Sequence, residues 1–285
     1  MNKVRKIFSS QHSFFITTPA IIWQSLFLWV PLLFLFVASF LHIQEHGARF
    51  TLTHYLHIFN WEHIIVVMRS LGLAFFNASV CLIIAYPVAY FLACNLKRGK
   101  NIALFFLTLP FWINFLVHVY SWFFLLEHNG LINRLLMQLG VIKQPLHLMN
   151  SLAAVMIVMF HGYLPFMILP LYTILQKLDK RLIEASLDLG ATRSYTFFNL
   201  VLPLSYSGAL SGFFLVFVLT FGEFVIPSLL GGGKTLFVGT LISEYFLAIR
   251  NTAQGAAFTF LSAGMLIMAL FGSYLLLTRL IKGKK

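Results

Sequence analysis

The chain has 285 residues, of which 60% are hydrophobic and only 10% charged, with a formal net charge of +12. Soluble domains carry about 25% charged residues, so the balance excludes an ordinary soluble fold and points to a polytopic membrane protein. Nor does the basic excess imply a nucleic-acid partner. No basic stripe with interleaved aromatics lies outside the apolar runs, and membrane proteins gather Lys and Arg in their cytoplasmic loops.

The chain begins with "MNKVRKIFSS", a basic lead into an apolar run at about residues 19–42. That run is longer than the core of a cleaved signal peptide and no small-residue cleavage site follows, so it is expected to remain as the first span. Five more apolar segments follow at about 68–95, 102–126, 151–175, 206–229 and 256–280. They are long enough to cross a bilayer and continuous rather than alternating, which selects helices over a barrel. The predicted fold is all-α, with six transmembrane helices in a single domain over residues 1–285. Pro31, Pro87, Pro110, Pro165 and Pro170 fall inside these segments and predict kinks.

His54, His57 and His63 precede the second segment, but no H-E-x-x-H occurs and no cysteine or acid stands at a zinc-motif spacing from them. No metal and no cofactor are expected. Cys81 and Cys94 lie within the second segment. A helix separates them by roughly 20 Å, beyond the reach of a disulfide, so both read as packing residues.

In the third segment Asn114, His118 and Ser121 recur at helical spacing, with Trp112, Tyr120 and Trp122 nearby. Such a polar stripe either lines a pathway or forms hydrogen bonds between helices. His161 in the fourth segment reads as a satisfied polar residue.

The loop over residues 176–205 contains "LDKRLIEASLDLGATRSYTFFNLVLPL". Leu182, Ile183, Ser186, Leu189 and Gly190 fall at helical spacing among charged residues. Gly190 is predicted to end that helix. A second short helix is expected from about Ser194 to Val201, with Pro203 just before the fifth span. A helix–turn–helix of this kind can dock into a groove on a partner.

Glu223 is the one obvious acid of the spans. A charge at mid-helix costs about 2.5–3.5 kcal/mol and usually faces a bundle interior. In a continuous helix Glu223 would return to within about 20° of the face of Gly212, which with Gly208 makes a close-packing G-x-x-x-G pair. Glu223 is therefore expected to face protein. There it either attracts a cation in transit, helped by aromatic faces, or holds a structural hydrogen bond.

The next stretch, "SLLGGGKTLFVG" at 228–239, resembles a phosphate-binding loop. The P-loop pattern requires a glycine where Ser228 stands, and a strand rather than an apolar helix before it. Gly231, Gly232 and Gly233 are instead expected to turn the chain at the end of the fifth span, so this chain is not expected to hydrolyse ATP. With the N-terminus inside, 14 of the 20 Lys and Arg residues fall on the cytoplasmic side, including Lys3, Arg5, Lys6, Lys97, Lys284 and Lys285. The positive-inside rule then places both termini in the cytoplasm.

The 176–205 loop resembles the EAA motif of ABC importer permeases, E-A-A-x3-G-x9-I-x-L-P. The motif stands here as Glu184, Ala185, Ser186, Gly190, Leu200, Leu202 and Pro203 with every spacing kept. Ser186 replaces the second alanine and Leu200 the isoleucine. "FGEFVIPSLLGGGKTLFVGTLISEYFLAIRN", "GAAFTF" and "NGLINRLLMQLGVI" are similar to stretches of spermidine/putrescine permeases, so the likeness covers most of 55–280. The resemblance implies a MetI-like ABC permease fold in the bacterial inner membrane, with the motif as the helix that couples to a cytoplasmic ATPase dimer. It also implies a second homologous permease and an extracytoplasmic polyamine-binding protein. On that reading Glu223, Trp112, Asn114, His118 and Tyr120 are candidates for the substrate pathway. The rivals are an importer for another small solute and a stand-alone secondary transporter or channel. The last would need no docking loop and would be expected to show repeats or paired broken helices, of which no convincing pair is seen.

Overall fold

A computed structural model of the chain describes residues 17–44, 47–96 and 98–282. Lys3, Arg5, Lys6, Lys97, Lys284 and Lys285, which carry part of the predicted orientation, lie outside them. The chain divides into two compact units.

The first unit takes in the described residues up to His63 together with Ile242–Ala263. Helix α1 (Thr17–Ala38) is apolar, and its most hydrophobic stretch is unburied within the chain. The expected span to residue 42 is cut short, because the Ser39 hydroxyl donates to the Phe36 carbonyl at 2.6 Å and pairs with the Tyr55 hydroxyl at 2.8 Å. The chain then turns into a hairpin of β1 (Leu41–Gln44) and β2 (Gly47–Phe50), with Leu41 opposite Phe50. Helix α2 (Thr53–Ile58) follows. Phe36 meets Phe260 edge-on, and His63 Nε2 lies 2.8 Å from the Tyr245 hydroxyl.

The second unit takes in Ile64–Leu241 and the described residues from Gly264 onward. Helix α3 (Trp61–Asn95) carries Val67, Ala74, Ala78, Cys81, Ala85 and Ala89, each fully buried. Their spacing of three, four or seven residues makes one small-residue stripe, against which neighbouring backbones approach closely. Cys81 packs there as a free thiol.

The predicted third span is not one helix. Helix α4 (Lys100–Trp112) is followed by helix α5 (Phe115–Leu126), and the segment from Phe115 to Gln138 that α5 opens is bent by 91° from α4. Pro110 sits in a tight final turn, Ile113 is extended, and Asn114 starts α5 by accepting from the Leu116 N–H at 3.0 Å. A residue without an N–H followed by a capping amide ends one helix and begins another.

Helix α6 (Leu131–Gln138) precedes α7 (Leu152–Leu175), capped by Ser151. Helix α8 (Lys180–Asp188) is followed by α9 (Arg193–Phe221), which packs along α7. A methyl group on Gly208 would stand 2.9 Å from the Pro170 carbonyl oxygen, and one on Gly212 would stand 2.8 Å from Met167 Sδ. The G-x-x-x-G pair therefore does bring two helix backbones together.

The short helix expected at 194–201 does not end before Pro203. It forms the first part of α9, continuing through a wide turn at Phe197–Val201, with the Leu202 N–H bonded to the Phe197 carbonyl. That turn precedes Pro203, whose missing N–H is tolerated in the first turn that follows.

Helices α10 (Val225–Leu230), α11 (Val238–Ala248) and α12 (Thr252–Lys282) complete the chain. Buried polar pairs tie α3 to α9: Asn77 Nδ2 donates to Thr220 Oγ1 at 2.8 Å, and the Tyr86 hydroxyl pairs with that of Ser205. The Val238 N–H donates to Ser70 Oγ at 2.8 Å. Among the described residues five helices are long and apolar enough to span a membrane, and six if the α4–α5 pair counts as one.

Candidate functional site

The first candidate site is the loop around α8. Asp179 caps α8 by accepting from the Arg181 N–H, and Thr192 caps α9 by accepting from the Tyr195 N–H at 3.2 Å. Between them Gly190 has φ +84° with open space around it. This is the left-handed turn expected of a glycine after a helix. Glu184 and Ala185 are exposed on α8. Ser186 Oγ lies 2.9 Å from the buried hydroxyl of Thr196. Leu200 lies in the wide turn, and Leu202 and Pro203 stand just after it. Lys180 reaches back from α8 to the Cys94 carbonyl at the end of α3, at 2.9 Å.

The outer surface of this loop is apolar. Leu189 is 88% exposed and Tyr195 61%. With Leu182, Ala185 and Thr192 they border a hollow of about 660 Å³. Large exposed apolar side chains ringed by polar ones mark a surface for a partner.

The second candidate site is the gap between α9 and α10. Glu223 is not at mid-helix, as the sequence reading assumed. Helix α9 stops at Phe221 with Gly222 as its cap, so no continuous helix carries the face of Gly212 on to Glu223. Glu223 is half-buried and faces protein for another reason. Its Oε1 accepts from the N–H of Val225 at 2.9 Å and of Ile226 at 3.3 Å, satisfying the start of α10. Its Oε2 accepts from the hydroxyl of Tyr163 on α7. Tyr163 is 6% exposed.

Among the described residues the remaining candidates make contacts of their own, none of them a hydrogen bond to Glu223. Asn114 spends its carbonyl on the start of α5. The His118 ring stacks on that of His161 at 5.2 Å, and Trp122 meets His161 edge-on. His118 Nε2 is buried without a hydrogen-bond partner among the described residues. Trp112 (79% exposed) meets Phe105 edge-on, and Tyr120 is 47% exposed. Sequence reasoning missed Tyr163, an aromatic in an apolar run whose partner is 60 residues away. No cluster of three His, Cys, Asp or Glu suited to a metal occurs among the described residues. Gly231 caps α10, and Gly232 and Gly233 have φ +64° and +68° in the turn that follows.

Comparison with known proteins adds to this geometry. Residues 85–283 match the family described as binding-protein-dependent transport system inner membrane component. The chain is 37% identical over 238 residues to the spermidine/putrescine transport system permease protein PotB of Escherichia coli strain K12, covering 82% of this chain and 86% of that one. The PotB of Haemophilus influenzae is equally similar, 37% over 240 residues, covering 82% and 83%. Among solved structures, a bacterial alginate ABC transporter in complex with an alginate pentasaccharide-bound periplasmic protein superposes with a TM-score of 0.76. It covers 98% of both chains at 16% identity, a likeness of fold.

Proposed function

Because the chain belongs to the family of binding-protein-dependent transport system inner membrane components, we propose that it is the membrane-spanning subunit of an ATP-driven importer for spermidine and putrescine. The observation that carries the cargo is the 37% identity to a polyamine permease over 82% of the chain. The motif-bearing α8, its apolar outer face and the glycine turn behind it support the ATP-driven part of the reading.

In this reading the chain is one permease domain with α8 and both termini in the cytoplasm. It pairs with a second homologous permease, stands over two copies of a separate ATPase subunit, and receives cargo from an extracytoplasmic binding protein. ATP hydrolysis takes place on the ATPase. The surface of Leu182, Ala185, Leu189 and Tyr195 seats in a groove of that subunit. Closure of the ATPase pair moves α8, and the Ser186–Thr196 pair passes the movement to α9, which is continuous from Arg193 to Phe221. Packing of Gly208 and Gly212 on α7 makes α7 and α9 move together. His118, whose Nε2 has no partner among the described residues, and the exposed rings of Trp112 and Tyr120 are the pathway candidates that retain capacity for cargo.

The test is uptake of labelled spermidine and putrescine by cells lacking this gene, rescued with the wild-type chain or with Gly190→Arg. The expected result is ATP-dependent uptake with wild type and its loss with Gly190→Arg at equal membrane levels. Uptake that persists without ATP contradicts the importer reading. Failure of wild type to restore either polyamine contradicts the cargo.

A further inference from the structure

The gap at Gly222–Glu223 interrupts what the hydropathy pattern presents as a single span, and three elements hold it. The Glu223 carboxylate accepts from two N–H groups of α10 and from the Tyr163 hydroxyl of α7. On the other side the backbone of the gap rests on Gly239 of α11. A methyl group there would stand 2.6 Å from both the Gly222 and the Glu223 carbonyl oxygens. The backbones touch, and no side chain fits between them.

We propose that Tyr163 is a positioning residue. Through Glu223 it fixes the break between α9 and α10 and makes α10 travel with α7, one of the two helices that flank the α8 loop. The inference rests on the transport reading given above and assigns Glu223 to that latch rather than to the cargo. Three observations carry it. The carboxylate already accepts three hydrogen bonds, which occupy most of its roughly four acceptor sites within the protein. Tyr163 is 6% exposed, so its hydroxyl is committed to a buried contact. And α9, which runs unbroken from the turn after α8, ends at Gly222. Without a tie across the gap, a displacement of α8 would stop where α9 stops. With it, α10 follows α7 and α9 as one body.

Glutamine distinguishes the latch from a charge that serves the cargo. Its side-chain oxygen can accept the two α10 N–H groups, and its amide can donate to the Tyr163 oxygen, while the charge is lost. In vesicles holding the complete transporter, uptake per ATP hydrolysed is compared for wild type, Tyr163→Phe, Glu223→Ala and Glu223→Gln. Tyr163→Phe is expected to lower it about tenfold, the size of one buried hydrogen bond to a charged group, and Glu223→Ala, which removes all three bonds, at least as far. The concentration of loaded binding protein giving half-maximal uptake stays unchanged. Glu223→Gln is expected to stay within about twofold of wild type for both polyamines.

The proposal is overturned if Tyr163→Phe transports like wild type. It is equally overturned if Glu223→Gln falls as far as Glu223→Ala, with spermidine affected more than putrescine, because then the charge acts on cargo. Should Tyr163→Phe fail to reach the membrane, the two Glu223 variants decide. If wild type moves no polyamine, the transport reading fails separately, and thermal unfolding of the purified chain decides the contact. Tyr163→Phe and Glu223→Ala together should then cost no more than the larger single change. Additive costs would show that the two residues are not joined.

Discussion

The hydroxyl of Ser186 on α8 lies 2.9 Å from that of Thr196 on α9, where Thr196 is 3% exposed. The pair closes the turn between the two helices with a side-chain bond, at a position where the permease motif has alanine. Ser186→Ala leaves a buried hydroxyl with one partner fewer, at a cost of about 1 kcal/mol. The midpoint of thermal unfolding in detergent should fall for Ser186→Ala and for Thr196→Val. The double variant should cost no more than the worse single one. Additive losses would mean that the hydroxyls do not share a bond.

Gly190 tests the turn itself. Its φ of +84° is unfavourable for any residue with a Cβ, by roughly 1–2 kcal/mol. Its surroundings are open, so bulk adds nothing to that cost. Gly190→Ala and Gly190→Val should therefore reduce ATP-dependent uptake, and Gly190→Asn should be milder because asparagine tolerates this conformation. A graded loss that follows side-chain size instead would place the cause in contact with a partner.

The two glycines of α9 should respond differently to alanine. The new methyl at 208 meets the Pro170 carbonyl oxygen at 2.9 Å, and backbone cannot step aside. At 212 the nearest atom is Met167 Sδ at 2.8 Å, the far part of a flexible side chain, with the Met167 carbonyl oxygen next at 3.1 Å. Gly208→Ala is expected to destabilise by about 1–3 kcal/mol and Gly212→Ala by less. Thermal unfolding of the purified variants gives the order, and the reverse order would contradict the packing described.

Asn77 and Thr220 are each 2% exposed and bonded to one another between α3 and α9. Hydrogen bonds between membrane helices contribute about 0.6 kcal/mol on average and at most about 1.7. Asn77→Ala should accordingly lower stability measurably without unfolding the chain. A complete loss of folded protein would mean that Asn77 supports more than this bond.

The sequence was legible where one physical term dominates. Long apolar runs placed both ends of α7 and α12 within a few residues and the end of α3 at Asn95, though α3 starts seven residues before the expected 68, because lipid leaves a backbone no choice but a helix. The spacing from Glu184 to Pro203 located α8 and its glycine turn, because local chain geometry sets both. The two interruptions escaped because hydropathy is blind to them. Residues 109–114 and 221–225 sit inside long apolar runs whose average hydropathy hides them, and the breaks come from Pro110 with Asn114 and from Gly222 with Glu223. Both are matters of capping, decided by one or two hydrogen bonds. Glu223 does face protein, but through a bond to Tyr163 that no spacing along one helix encodes. Ser39 likewise ended α1 early through a contact to Tyr55.

The central claim, that this chain carries polyamines inward at the expense of ATP, is tested most directly in sealed vesicles. The vesicles would hold this chain with its partner permease and ATPase, with binding protein outside and ATP trapped within. The account predicts that labelled spermidine or putrescine accumulates against its gradient only when ATP and loaded binding protein are both present. Accumulation that needs neither, or hydrolysis stimulated by a different loaded solute while both polyamines stay outside, would contradict it.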